Sequence, residues 1–233
     1  METGGLVSGG TIRVLGVDGC KKGWVGIALR DGAFGAAYLK GSLRELIATA
    51  PDASVIAVDI PIGCETNGFR RVDAEARTFV GPRWNSVFLV PPLEVFEPGT
   101  YEEACVVSQR LTRAKPSRQL WGLREKVLEA ATLAANDPRL IEVHPEVSFR
   151  ELNGEALAHP KKSWSGQSLR RRLLANAGLV VPEELKEAGD AAPDDILDAT
   201  VAAWSAHRHA SSLSRHLEPT VTDASGRTVT IWY

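Results

Sequence analysis

The first part of the chain is a series of short apolar runs that are separated by glycine and charged residues. The pattern predicts strands at 12–18, 23–29 and 33–39, whose short glycine-containing connections are typical of an antiparallel meander. Ser42, with Glu45 three residues later, predicts a capped helix that runs to about residue 50. The run 54–60 is almost wholly apolar, which favours a central strand that is buried on both faces.

Helical patterns dominate the remainder. They predict helices at 73–79, 102–115 and 119–135, with the irregular segment GPRWNSVFLVPP after the first of them. The stretch RLIEVHPEVSF is predicted as a short strand, and further helices are predicted at 165–177 and 192–211. Alanines at 199, 202 and 203 leave one side of the last helix slim enough to pack closely against a sheet. The end of the chain reads as a hairpin with its turn near 224–226.

Length and composition fit a single globular domain. The chain has 233 residues, of which 44% are hydrophobic and 24% charged. We expect a disordered Gly/Ser-rich tail at 1–11 and one domain at 12–233. Within that domain we expect a helical insertion at about 65–137 and a C-terminal hairpin at about 219–233.

Charge and cysteine content exclude several classes of protein. The formal net charge of −2 gives no global attraction to nucleic acid, so a polyanionic substrate would need a local basic patch or metal ions. Three cysteines without CxxC spacing suggest neither a disulfide framework nor a zinc site. No apolar run approaches the roughly 18 residues of a membrane span, and the N-terminus has no signal-peptide pattern. We expect a cytoplasmic protein with no membrane partner, and the apolar C-terminal residues leave a homo-oligomer open.

Acidic residues occur on several predicted elements that are distant in sequence. They are Asp18 at the end of the first strand, Asp59 at the end of the fourth, Glu142 in the fifth, and Asp195 and Asp198 on one face of the last helix. Like charges that converge near a core are tolerated when a divalent cation neutralises them. Oxygen ligands suit Mg²⁺ or Mn²⁺, and two such ions about 3.5–4 Å apart can activate water and stabilise a leaving oxygen in phosphodiester cleavage.

The order of these elements and acids resembles the RNase H-like fold. The D-x-x-D-A at 195–199 is similar to the terminal-helix motif of Holliday-junction resolvases of the RuvC type. More closely, the chain resembles the DUF429 family of predicted RNase H-like nucleases. The matching stretches cover nearly the whole folded chain and are GVDGCKKGWVG, VDIPIG, DAEARTFVGPRWNSVF, EVHPEVSFRELNG, KKS at 161–163 and DDILDATVAAW.

This resemblance implies an α/β fold with a mixed five-stranded RNase H-like sheet that is flanked by helices, with a helical insertion between strands 4 and 5. It implies a nuclease that depends on Mg²⁺ or Mn²⁺ and cleaves DNA or RNA. The implied metal ligands are Asp18, Asp59, Glu142, Asp195 and Asp198, with Asp18 and Asp195 ranked first. Glu142 has two further interpretations: it replaces Asp59 as a ligand, or it forms a buried ion pair with an arginine.

Structural roles compete with the metal role for several acids. Asp18 and Asp59 could each bond backbone groups of a following turn, and Asp195 could be a first-turn acid that the helix dipole favours. Asp198 lies a turn deeper among apolar neighbours, which makes a purely structural role harder to assign.

Other residues are candidates for contacts with substrate. They are His144 as a general base or substrate contact, Arg77 and Arg83 as phosphate contacts in the irregular middle segment, and Lys161 and Lys162 as an anion site. His144 could instead be a packed imidazole that is bonded to backbone, and the middle segment could simply be held by a buried tryptophan. The arginine run 170–172 is typical of a solvated helix face.

Two other functions fit the same residues. One is a phosphotransferase or ATPase of the actin/hexokinase type, with Asp18 binding Mg²⁺ and the GCKKG turn binding phosphate. Such proteins normally duplicate the domain and carry two glycine-rich phosphate loops, whereas the sequence indicates one core. The other is a non-enzymatic nucleic-acid-binding module.

Overall fold

A computed structural model describes residues 10–219, 221–223 and 225–233, so nearly all of the predicted tail at 1–11 lies outside the described residues. Its centre is a five-stranded sheet with the strand order β3-β2-β1-β4-β5. The strands are β1 (Arg13–Cys20), β2 (Gly23–Arg30), β3 (Ala33–Lys40), β4 (Val55–Asp59) and β5 (Leu140–Glu142). The mixed five-stranded sheet of the predicted α/β fold is confirmed.

The pairing of the strands follows the sequence pattern. β1, β2 and β3 form an antiparallel meander, and β4 pairs in parallel with β1 on one side and β5 on the other. The apolar run of β4 therefore occupies an interior position, as its composition predicts. In the parallel pair of β1 and β4, Asp18 is directly opposite Asp59.

Helices flank the sheet on both faces. In the described part of the chain they are α1 (Leu43–Ala48), α2 (Arg71–Val80), α3 (Tyr101–Thr112), α4 (Arg118–Trp121), α5 (Arg124–Ala134), α6 (Pro145–Asn153), α7 (Trp164–Asn176) and α8 (Pro193–Ala210). Short 3-10 helices lie at Gly81–Ser86, Leu93–Phe96 and Lys186–Asp190. The predicted capping box of α1 is present, because the side chain of Ser42 accepts from the backbone N–H of Glu45 and the Glu45 carboxylate accepts from that of Ser42.

The insertion between β4 and β5 contains α2 to α5, as predicted, but two local predictions are wrong. The predicted helix at 119–135 is broken into α4 and α5 around Gly122. The stretch after Glu142 is not strand, because α6 begins at Pro145. Proline at the first helical position has no N–H to donate to a sheet and its fixed φ suits a helix start.

The two faces of the sheet bury separate apolar layers. Val14 of β1 packs in a core with the alanines of α8, whereas its neighbours Leu15 and Val17 pack in a second core with α1 and α5. This alternation is the two-residue period of a strand that is buried on both sides. The sheet is thus the middle layer between two layers of helices.

The C-terminal residues fold back on their own chain. After the predicted hairpin of β6 (Val221–Thr222) and β7 (Thr228–Val229), the Trp232 N–H donates to the carbonyl of Glu142 (3.0 Å). The backbones of Tyr233 and Arg215 exchange two hydrogen bonds. Ile231 and Tyr233 thereby join a buried apolar cluster. No helix in the described ranges is long and apolar enough to cross a membrane.

Candidate metal centre

Asp18 and Asp59 are brought together by the parallel pairing of β1 with β4. Contrary to the sequence prediction, β1 does not end at Asp18, since Gly19 and Cys20 continue the antiparallel pairing with β2. The Asp18 side chain is therefore fixed by strand on both sides, and it is only 6% exposed. Asp59 is the last residue of β4 and is partly exposed. No side-chain hydrogen bond of either carboxylate is found within the described ranges.

The helix α8 adds a third carboxylate from above the sheet. It approaches β1 so closely that the backbone of Ala199 and Ala203 occupies the space that a Cβ on Gly16 would need. This contact holds Asp198 over the strand end, where its side chain is 1% exposed. One oxygen each of Asp18, Asp59 and Asp198 lies within 4.8 Å of the others. Three oxygen ligands at this spacing could hold a metal ion.

Lys161 supplies a positive charge to these three acids. Its ammonium forms an ion pair with Oδ2 of Asp198, and about a third of its side chain remains exposed. The other carboxylate oxygen of Asp198, Oδ1, is buried and has no hydrogen-bond partner among the residues described. A buried carboxylate oxygen without a donor is costly, so the site fits an additional cation.

The electrostatics of the cluster show that the protein's own charges do not neutralise it. Burial, followed by repulsion from Asp59 and Asp198, raises the pKa of Asp18 well above its usual range. Burial and the charge of Asp198 raise the pKa of Asp59 to about 8. Burial opposes the charge on Lys161, but attraction to Asp198 and the other acids raises its pKa above the ordinary value. A divalent cation would favour the ionised form of all three carboxylates.

Asp195, which the sequence ranks with Asp18, does not join the group of three. It lies one turn before Asp198 on α8 and its side chain is partly exposed. Burial and the neighbouring Asp194 raise its pKa. Asp195 lies one turn before the segment from Ala199 to Ala203 that contacts β1 at Gly16, whereas Asp198 directly precedes that segment.

Glu142 is held by an arginine, which is one of the interpretations that the sequence leaves open. Its carboxylate accepts from both terminal nitrogens of Arg70 (2.7 and 2.8 Å) and from the backbone N–H of Ile62 (2.8 Å). Arg70 also donates to Asp73 (2.6 Å), and the three side chains are at most 7% exposed. Glu142 therefore stabilises the loop after β4 and is not part of the acidic group, which corrects the expectation that it is a metal ligand.

The sequence analysis does not predict that two arginines, Arg70 and Arg170, are buried. Arg70 sits three residues before Asp73, a spacing that suggests a local ion pair but not the partner in β5. Arg170 was expected on a solvated face, yet it is fully buried and pairs with Glu146 (2.5 Å). Leu174, one helical turn later, is also buried, so the position of Arg170 on the apolar stripe of α7 was the available signal.

His144 adopts the packed arrangement rather than an open one. Its Nδ1 accepts from the N–H of Glu146 (3.2 Å) and caps α6, while Nε2 lies 3.4 Å from the carbonyl of Ser86. Both ring nitrogens thus contact backbone, which fits a neutral ring with its proton on Nε2. Burial lowers the pKa of His144 to about 4.

The remaining basic candidates differ in their exposure and in the contacts that they already make. Arg77 donates through Nε to the carbonyl of Val87 (2.9 Å) and its guanidinium stacks over Trp84, so it holds the middle segment in place. Arg83 lies in the 3-10 helix of that segment, and its Nε is buried without a partner among the described atoms. Lys162 is largely exposed, 3.9 Å from Asp194.

Comparison with known proteins gives a family but no function. The family model described as "Protein of unknown function (DUF429)" matches residues 16–221. Neither the curated proteins nor the solved structures contain a match. The matched range begins at Gly16 within β1 and includes β2 to β5 and every acid of the cluster, and the resemblance to the DUF429 family that the sequence motifs indicate is confirmed. The chain belongs to the DUF429 family.

Proposed function

We propose that this protein is a nuclease that uses a divalent metal ion, Mg²⁺ or Mn²⁺, to hydrolyse phosphodiester bonds of nucleic acid. The observation that carries the proposal is the group of Asp18, Asp59 and Asp198, contributed by two parallel strands and a helix, whose oxygens converge within 4.8 Å. When bound, the metal would supply Lewis-acid chemistry, which polarises a phosphate oxygen and lowers the pKa of water.

The donor set fits such an ion and not a softer one. All three groups are carboxylates, the ligands that Mg²⁺ and Mn²⁺ prefer. The other buried acids nearby, Glu142 and Glu146, are paired with arginines, whereas this group has one lysine for three carboxylates. The unpartnered Oδ1 of Asp198 supports a cation at this site, because a buried carboxylate oxygen without a donor is costly.

Residues at the rim suit contact with a nucleic acid. Lys161 is partly exposed beside the cluster and can donate to a phosphate oxygen. Lys162 is exposed on the same turn, and the ring of Trp164, 85% exposed, is available to stack on a base. Asp195, which is partly exposed one turn from Asp198, would be the acid that accepts a proton from an attacking water.

The structure of the middle segment narrows the roles of the other candidates. Both ring nitrogens of His144 contact backbone groups, so His144 is not assigned as the base, and Arg77 already contacts Val87 and Trp84.

A phosphotransferase or ATPase stays the second candidate function. It would use the exposed lysines of the β1–β2 turn, of which Lys22 is bonded to Asp190 (2.8 Å).

The test is cleavage of labelled nucleic acids by purified protein with Mg²⁺, Mn²⁺ or chelator. Substrates should include single-stranded, duplex and branched DNA and RNA, with ATP as a separate substrate. We expect metal-dependent cleavage that falls at least about 100-fold in Asp18→Asn, in line with the loss of a positioned catalytic group. Glu184→Gln, an exposed acid away from the cluster, is the matched control.

Two results would contradict the proposal. One is cleavage that is equal in wild type and Asp18→Asn, which would indicate a contaminating nuclease. The other is ATP hydrolysis without nucleic-acid cleavage, which would favour the phosphotransferase or ATPase.

A further inference from the structure

Lys161 is built into the acidic cluster and is not a mobile surface lysine. The backbone on both sides of it is anchored, since the His159 carbonyl accepts from the buried Arg170 (3.2 Å) and the Pro160 carbonyl accepts from the N–H (3.0 Å) and the hydroxyl (2.8 Å) of Ser163. Gly166 of α7 lies against the Pro160 carbonyl, in a space that no side chain could share. The turn therefore holds the Lys161 ammonium against Asp198 and leaves it little conformational freedom.

The charges of the cluster match one divalent cation. Three ionised carboxylates and the Lys161 ammonium together carry a net charge of −2. One divalent cation would neutralise this charge, whereas two would leave a net positive charge in a site whose carboxylates are largely buried. Uncompensated charge in such a site is costly, so neutrality favours a single ion.

The number of carboxylate oxygens that are available as ligands also indicates a single metal ion. Lys161 occupies Oδ2 of Asp198, which leaves the unpartnered Oδ1 and the carboxylates of Asp18 and Asp59. Of the other buried acids nearby, Glu142 uses both oxygens for Arg70 and Glu146 uses Oε1 for Arg170, so these two acids offer one oxygen without a partner among the described atoms, Oε2 of Glu146. Asp195 lies outside the group that converges within 4.8 Å.

We propose that the cluster binds one divalent cation rather than a pair, and that Lys161 supplies to the substrate phosphate the positive charge that a second ion would otherwise bring. An ammonium has three donors, so it can keep a bond to Asp198 and still donate to a phosphate oxygen. This inference rests on the proposed nuclease function and specifies the number of ions at that site.

The number of ions bound per chain is tested with Mn²⁺ alone, by calorimetric titration of metal-free protein and by electron paramagnetic resonance. We expect one Mn²⁺ per chain and the spectrum of an isolated ion. In Lys161→Met the cluster loses its internal cation, so the first Mn²⁺ should bind at least about tenfold more tightly and a second, spin-coupled ion should enter. Lys161→Arg keeps the charge and should bind one ion.

Lys162→Met is the matched control, because it removes a positive charge from the adjacent, exposed position, and it should bind one ion like the wild type. The wild-type stoichiometry does not depend on any variant folding, and circular dichroism would verify the fold of each variant. Two coupled Mn²⁺ ions in the wild type would overturn the inference, as would unchanged affinity and stoichiometry in Lys161→Met. With two ions and cleaved nucleic acid, the nuclease function would stand and only the single-ion inference would fall. No bound Mn²⁺ would overturn both.

Discussion

Gly16 of β1 and Ala203 of α8 are in direct backbone contact, with no side chain between them. The position that a Cβ on Gly16 would occupy is already filled by the Ala203 backbone and the Ala199 carbonyl. This contact fixes the height of α8 above the sheet and hence the distances of Asp198 from Asp18 and Asp59. The packing of one glycine is thereby coupled to the geometry of the candidate metal centre.

Gly16→Ala should destabilise the protein by about 3 kcal/mol or more, because the methyl group forces apart two elements that have no soft side chain to yield. Urea unfolding followed by circular dichroism measures the loss. Gly99→Ala is the control, since nothing lies within 4 Å of the added Cβ, and it should stay within about 0.5 kcal/mol of wild type. Equal stability of the two variants would show that α8 can move away from β1 without cost.

Asp59→Asn should stabilise the protein in chelator and weaken its response to metal. Burial raises the pKa of Asp59 to about 8, so at pH 7 this carboxyl must take up a proton when the metal-free chain folds, and an amide at this position avoids that cost. No side-chain hydrogen bond described for Asp59 is lost. At pH 7 we expect a melting temperature about 2–4 °C higher in EDTA, equivalent to about 1 kcal/mol, and a smaller rise on addition of Mn²⁺. A thermal shift with and without Mn²⁺ measures both effects. An unchanged Mn²⁺ shift would remove Asp59 from the ligand set.

Arg70→Met should be among the most damaging single substitutions. It leaves Glu142 and Asp73 buried without their cation, which typically costs about 3–5 kcal/mol. The adjacent Arg71→Met removes an exposed guanidinium that pairs with Glu65 and should cost less than about 1 kcal/mol. Chemical denaturation of the two variants measures the free energy of unfolding that each loses. A similar loss in both would contradict the conclusion that Arg70 belongs to a buried network and Arg71 to a surface ion pair.

The stability should fall in acid through His144. Its pKa of about 4 in the folded protein is below the value of about 6.5 in the unfolded chain, so the unfolded state binds more protons between these values. The contribution of His144 to stability is therefore complete above pH 6.5 and is lost as the pH falls toward 4, by roughly 1–3 kcal/mol. The raised pKa of Asp59 acts in the opposite direction over this range, so the effect of His144 is read as the difference between variants. A second proton, on Nδ1, would point at the N–H of Glu146 that this nitrogen now accepts from.

His144→Asn retains a side chain that can cap α6 and should lose that part of the pH dependence. His159→Asn, at an exposed position, should keep the wild-type profile. Unfolding free energies measured at several pH values between 4 and 8 provide the comparison. If His144→Asn follows the wild-type curve, another group is responsible for the decline.

Most of the fold could be predicted because its signals are local. Each of these signals depends only on residues that are close in sequence. They are the apolar runs of β1 to β4, the cap at Ser42 and the alanines of α8, and the structure has all of them where the sequence predicts. The extent of β1 was underestimated because Gly19 and Cys20 resemble a turn, whereas the turn itself is formed by Lys21 and Lys22.

The site was only partly predictable because it depends on long-range orientation. Sequence spacing puts Asp195 and Asp198 on one side of α8, but it does not show that only Asp198 lies close enough to Asp18 and Asp59 to join their oxygens. Likewise, nothing near Glu142 in the sequence points to Arg70, which reaches it from the far side of the insertion. Lys161 was recognised as a basic residue in a suggestive motif, and only the folded chain shows that its partner is Asp198.

The dependence of the acidic cluster on α8 also has a consequence for biosynthesis. Asp18 and Asp59 leave the ribosome early, whereas Asp198 and the rest of its helix follow only after the whole insertion has been made. Until α8 docks, Asp18 and Asp59 lack their third partner, and a nascent chain cannot assemble the complete candidate metal centre. Contacts between such distant segments form late and slowly in folding. Any activity of the cluster would thus be withheld from incomplete chains, and metal binding would mark the moment at which synthesis and folding have both finished.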